Sequence, residues 1–126
     1  MNRIVIAMLL AFAAARQSPT VWGGDHVELQ VASNSATVEF DCAHGTIDAA
    51  LKADSNGHFE IAGTFTPERS GPVRGDDPPP TLPATYAGTI KEDAMSLRVT
   101  IKTEHAPPPT TYELIRGNRG NVRKCR

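Results

Sequence analysis

The sequence has few of the features from which function is commonly read. It contains no GxxxxGKS/T loop, GxGxxG turn, HExxH helix, GxSxG elbow or EF-hand loop, so the usual signatures of NTPases, dinucleotide-binding enzymes, zincins and α/β hydrolases are missing. Two cysteines in 126 residues are too few for a disulfide scaffold or an all-cysteine zinc site. Charge of one sign is also lacking. With 13 Lys+Arg against 14 Asp+Glu the net charge is -1, and binding nucleic acid by counterion release needs an excess of cations. No stretch repeats at the helical period, and no apolar run reaches the roughly 20 residues that a bilayer-spanning helix requires.

What is present begins with a leader. Met1-Asn2-Arg3 supplies a positive start, Ile4 to Ala15 is uninterruptedly apolar, and Ala13-Ala14-Ala15 offers a small-x-small cleavage pattern before Arg16. Residues 1–15 therefore read as a signal peptide, and residues 16–126 as one exported domain, periplasmic or extracellular, with no transmembrane segment after cleavage. Export places Cys42 and Cys125 in an oxidising compartment, where two thiols predict a single Cys42–Cys125 disulfide.

The mature part alternates with period two. Val27, Leu29 and Val31 alternate with polar neighbours, as do Val38, Phe40 and Cys42, then Phe59, Ile61, Gly63 and Phe65. Ile47 to Ala53 is a weaker segment; Tyr86 to Ile90, Met95 to Ile101 and Tyr112 to Leu114 complete the series. Hairpin turns fit at 32–35, 54–57 and 91–94, and a proline loop at 107–109. The expected fold is all-β: an antiparallel up-and-down meander of about seven to eight strands that hides its one apolar face by closing into a small barrel. A two-sheet sandwich is the alternative. Gly63 and Gly88, on apolar strand faces, fit either strand bends in a small barrel or room for a larger side chain. The long Pro-rich connection 67–83 is placed to lie over the barrel mouth, and the tail 116–126 is basic.

Trp22, near the start of the first strand, and Arg116, just past the last, resemble the closure of lipocalins and related calycins, in which an arginine packs over a tryptophan at the barrel's closed end. The match is partial, since this chain has Val21-Trp22-Gly23 where lipocalins carry Gly-x-Trp. Trp22-Gly23-Gly24-Asp25-His26, Glu39 to Ile47, Gly71-Pro72-Val73-Arg74 and the late Cys125 resemble a group of uncharacterised exported bacterial proteins over most of the mature chain. The lipocalin-like resemblance implies a barrel closed by a Trp22–Arg116 contact. The second implies export and brings no activity with it.

Chemistry-bearing residues are sparse. His26 and Glu28, and His58 and Glu60, form His-x-Glu pairs on wet strand faces, and the strands between them hold the pairs too far apart to share a metal. Glu39 and Asp41 share one wet face, which suits hydrated charge better than an acid/base dyad. His105 sits in a proline loop and is expected in solvent. His44 falls on the inward side or at the rim if the alternation continues past Cys42, and Arg74 lies in the Pro-rich loop. With Tyr86 on an apolar strand face, they are the candidate ligand-binding residues. No catalytic group, metal ligand or cofactor site is expected, and the chain is expected to be a monomer. Two functions fit: a barrel that binds a small apolar ligand or peptide, or an envelope protein-interaction or inhibitory domain with a filled core. An enzyme fits least, because no nucleophile, base and orienting group can be matched.

Overall fold

The computed structural model describes residues 19–68 and 80–125. Residues 1–15, expected from the sequence to be a leader, Arg74 and most of the 67–83 connection lie outside the described residues. The strands are β1 (Thr20–Gly24), β2 (Val27–Val31), β3 (Ala36–Phe40), β4 (Ala43–Ile47), β5 (His58–Pro67), β6 (Leu82–Lys91), β7 (Ala94–Ile101) and β8 (Thr110–Arg116). Each pairs antiparallel with the next, and β1 pairs with β8, so the sheet closes on itself as an up-and-down barrel rather than a two-sheet sandwich. Closure leaves no sheet edge to cover, which is how a helix-free meander buries one face. The β1–β2, β3–β4, β5–β6 and β7–β8 connections gather at one end, here the mouth. The other connections form the opposite, closed end.

Two strands differ from the expectation, for local reasons. β3 stops at Phe40, and the chain turns at Asp41-Cys42, with Cys42 in the left-handed region at φ 52°. A two-residue turn inverts the alternation. Val38 and Phe40 point inward before it, and Ala43, Gly45 and Ile47 after it. β4 therefore occupies 43–47, while the weaker candidate 47–53 is largely loop. β1 escaped the period-two reading because Gly23 and Gly24 supply no side-chain signal. A Cβ on Gly23 would lie 2.3 Å from the Arg119 carbonyl carbon, so the glycine is needed where the C-terminal tail crosses the strand.

The interior is filled. Leu29, Val38, Ile47, Tyr86, Met95, Leu97 and Leu114 have essentially no exposure, and Phe40 and Phe59 are buried beside them. Tyr86, the largest, lies along the inner wall from β6 over β5 to β4, in a slot between two glycines. A Cβ on Gly45 would meet the Tyr86 hydroxyl at 2.1 Å, and one on Gly63 would meet the Thr46 carbonyl oxygen at 2.0 Å and Tyr86 Cε2 at 2.9 Å. The hydroxyl donates to the Thr64 carbonyl at 2.6 Å, which satisfies it in the core. Gly63 thus makes room for a larger side chain. Gly88 serves the strand itself, since a Cβ there would lie 1.8 Å from the Ser96 carbonyl oxygen.

The seam between β1 and β8 is short. It is paired only at Trp22 with Arg116 and Gly23 with Ile115, whereas β5 and β6 pair along Phe59 to Phe65 and beyond. The Arg116 guanidinium carbon lies 4.8 Å from the centroid of the buried Trp22 ring, a cation–π geometry worth about 0.5–1 kcal/mol at a half-exposed position. Outside the seam, the tail after β8 turns back toward the mouth. Gly120 N–H donates to Glu28 Oε1 at 3.1 Å, Asn121 exchanges backbone bonds with Gly24 and His26, and Cys125 is disulfide-bonded to Cys42 with Cα atoms 4.7 Å apart. The tail is a strap over the seam, tied down by the disulfide expected from the sequence.

Candidate functional site

At the mouth, among the described residues, the inward rows of β5, β7 and β8 end without a layer of strands above them. Phe65, Val99, Ile101, Thr110 and Tyr112 surround a cavity of about 160 Å³, roofed by Pro107 and Pro108 of the β7–β8 loop. Alternation alone dictates this lining, because Val99 stands opposite Thr110, and Tyr112 opposite Leu97, with all four on the inner face. The prolines fix the roof's backbone angles at little entropic cost. Beneath the cavity, the Phe40 ring lies 5.4 Å from both Phe65 and Tyr112 in tilted arrangements, so the aromatic floor is tightly packed. Burial raises the Tyr112 hydroxyl above its ordinary pKa, with the nearby Asp41 charge adding to it.

The rim on the β3–β4 side is polar and interlocked. Lys124 is its hub, with Nζ 2.5 Å from Glu68 Oε2 and 2.6 Å from Glu39 Oε2, and donating to the Ala43 carbonyl at 2.8 Å. Partial burial works against the Lys124 ammonium, but the carboxylates of Glu39 and Glu68 outweigh it and hold its pKa above the usual lysine value. The Lys124 hydrogen bond is the main reason that Glu68 sits below the carboxylate range; burial opposes it and His44 assists it. Asp41 is lowered chiefly by the Arg123 N–H, at 2.7 Å, against a smaller burial effect, and then by His26, whose Nδ1 is 2.5 Å from Oδ2. These groups bind one another. They fasten the strap and the start of the 67–83 connection to the β3–β4 turn, where Glu68 N–H also donates to the Cys42 carbonyl.

The sequence-predicted candidates do not converge. His44 follows the inverted alternation onto the outer face, half exposed, with Nδ1 3.4 Å from Glu68 Oε2. Tyr86 is wholly buried in its glycine slot with its hydroxyl already bonded, and burial raises its pKa well above the ordinary tyrosine value. Arg74 lies outside the described residues. His26 is not on a strand face but in the β1–β2 turn at φ 70°, joined to Asp41; His58 and Glu60 stay on the outer face. Among the described residues no group of three or more His, Cys, Asp or Glu is placed to hold a metal ion. Sequence reasoning missed Lys124, which lies in the basic tail, and missed Val99 and Ile101 as lining residues. Their signal was present in the inward row of β7 running on to a proline loop.

Comparison of the chain with protein-family models, curated proteins and solved structures finds no match. The described residues define the class alone: an eight-stranded antiparallel β-barrel with a filled core, an apolar mouth and a disulfide-tied C-terminal strap. No helix among them is long and apolar enough to cross a membrane.

Proposed function

We propose that this protein is an exported recognition module that seats one apolar side chain of an envelope protein or peptide in the barrel mouth. The observation that carries the reading is the mouth cavity of about 160 Å³ above a filled interior. That volume matches an engineered apolar cavity of about 150 Å³ that accepts a benzene-sized group, and it is well below the roughly 300–1,000 Å³ of ordinary small-molecule pockets. A single ring or branched side chain fits it, so the rest of the affinity has to come from contacts around the rim, as in protein and peptide recognition. The leader pattern at 1–15 and the Cys42–Cys125 disulfide support export. Native mass spectrometry of the chain recovered from its own envelope tests the proposal. A bound protein or peptide is expected, and Ile101→Trp, which fills the mouth, should remove it. A complex that survives Ile101→Trp while the variant melts normally would sink the reading.

A further inference from the structure

The outer wall of the barrel carries a second hollow, of about 460 Å³, over β5, β6 and β7. A small barrel's outer wall is convex, so a hollow there needs a cause, and two are visible. Its floor is Ala87, whose methyl is the only side chain facing outward between Glu60 and Arg98, and one wall is the turn before β5. That turn is folded against β6: Gly57 N–H donates to the Asp54 carbonyl at 2.9 Å, and Ile90 N–H to the Gly57 carbonyl at 2.8 Å. Asp54 Oδ1 accepts from the N–H groups of Asn56 and His58 at 2.8 and 2.9 Å, which locks the carboxylate over the end of β5.

Register then sorts the charges. Glu60 stands opposite Ala87, and Ala87 opposite Arg98, so Glu60 and Arg98 flank the floor from strands about 9.6 Å apart at two interstrand spacings. His58 stands opposite Thr89 in the next row. The β5 wall is thus negative through Asp54 and Glu60, and the β7 wall positive through Arg98. Among the described residues none of the three is held in an ion pair.

We infer that this hollow binds a small zwitterion of the α-amino-acid class, its ammonium toward Asp54 and Glu60 and its carboxylate toward Arg98. An anion alone would face two carboxylates, and a cation alone would face the guanidinium; only a ligand carrying both charges meets its complement on each wall. The methyl-sized floor leaves no apolar slot for a long side chain, so the ligand's own side chain points to solvent and the site selects the charged backbone. The mouth is not involved.

The test is an amide NMR titration of the isotope-labelled chain with L-alanine, beside N-acetyl-L-alanine and L-alanine methyl ester, which each lack one charge. L-Alanine should shift Glu60, Ala87 and Arg98 saturably, with either blocked form at least about tenfold weaker, the loss expected for one charge-assisted contact. Glu60→Gln and Arg98→Gln should each weaken L-alanine by about tenfold while leaving the melting temperature near that of the parent. Absence of saturable shifts, equal binding of the blocked forms, or full binding by Arg98→Gln overturns the inference.

Discussion

The fit between Tyr86 and its two glycines gives a sharp test of how the core is built. Gly45→Ala would place a methyl 2.1 Å from the Tyr86 hydroxyl oxygen and 2.5 Å from the Thr64 carbonyl oxygen, the very atoms that share a hydrogen bond. Overpacking of this kind costs about 1–3 kcal/mol, and displacing the hydroxyl forfeits a bond worth about 0.5–1.5 kcal/mol, for a total of about 1.5–4.5 kcal/mol. Tyr86→Phe alone loses the bond, at about 0.5–1.5 kcal/mol. Because Tyr86→Phe also removes the atom that clashes, the double variant should cost less than the sum of the singles by at least about 1 kcal/mol. Gly63→Ala is the internal control. Its methyl would strike the Thr46 carbonyl at 2.0 Å and the ring carbon Cε2, both of which Tyr86→Phe retains, so that pair should be close to additive. Urea unfolding of the three single and two double variants measures both couplings, with unchanged m-values required for the comparison. Additivity at Gly45, or equal coupling at Gly45 and Gly63, would refute the assignment of the slot to the hydroxyl.

Two further outcomes concern the strap. Removing the disulfide by Cys42→Ala with Cys125→Ala opens a link spanning 83 positions and should destabilise the chain by up to about 4.5 kcal/mol in urea unfolding; a loss well under 1 kcal/mol would mean that Lys124 and the backbone bonds already hold the tail unaided. The carboxylates of Asp41 and Glu68 have pKa values lowered in the folded chain, so their stabilisation is complete above the ordinary carboxylate range near 4 and disappears as pH falls through the lowered values. Thermal melts should therefore fall in temperature from pH 5 toward about pH 2, and Asp41→Asn with Glu68→Gln should flatten that acid limb; an acid limb of unchanged slope in the double variant would remove these groups from the cause.

How far the sequence could be read depends on where each signal resides. Strands such as Val27–Val31, His58–Pro67 and Ala94–Ile101 are legible because one face is buried and side chains alternate, so residue type records burial directly. The turns record it less well. His26, Cys42 and Glu92 adopt positive φ without being glycine, and of the three only His is a residue type enriched in that region. At two of the three, tertiary contacts hold the conformation: His26 N–H donates to the Asn121 carbonyl and its ring meets Asp41, while Cys42 is bonded to Cys125. Both supports come from residues more than ten positions away, which a window along the chain cannot see. One unmarked turn then inverts the faces of the strand that follows it, which is why His44 lies on the wet side although the row from Val38 points inward. The mouth escapes this problem because its lining comes from the inward rows of β5, β7 and β8, which stay in phase up to their last residues. A site assembled from strand ends can be located from alternation alone, whereas one assembled from turns, like the Lys124 hub and its carboxylates, requires the closed barrel and the strap that crosses it.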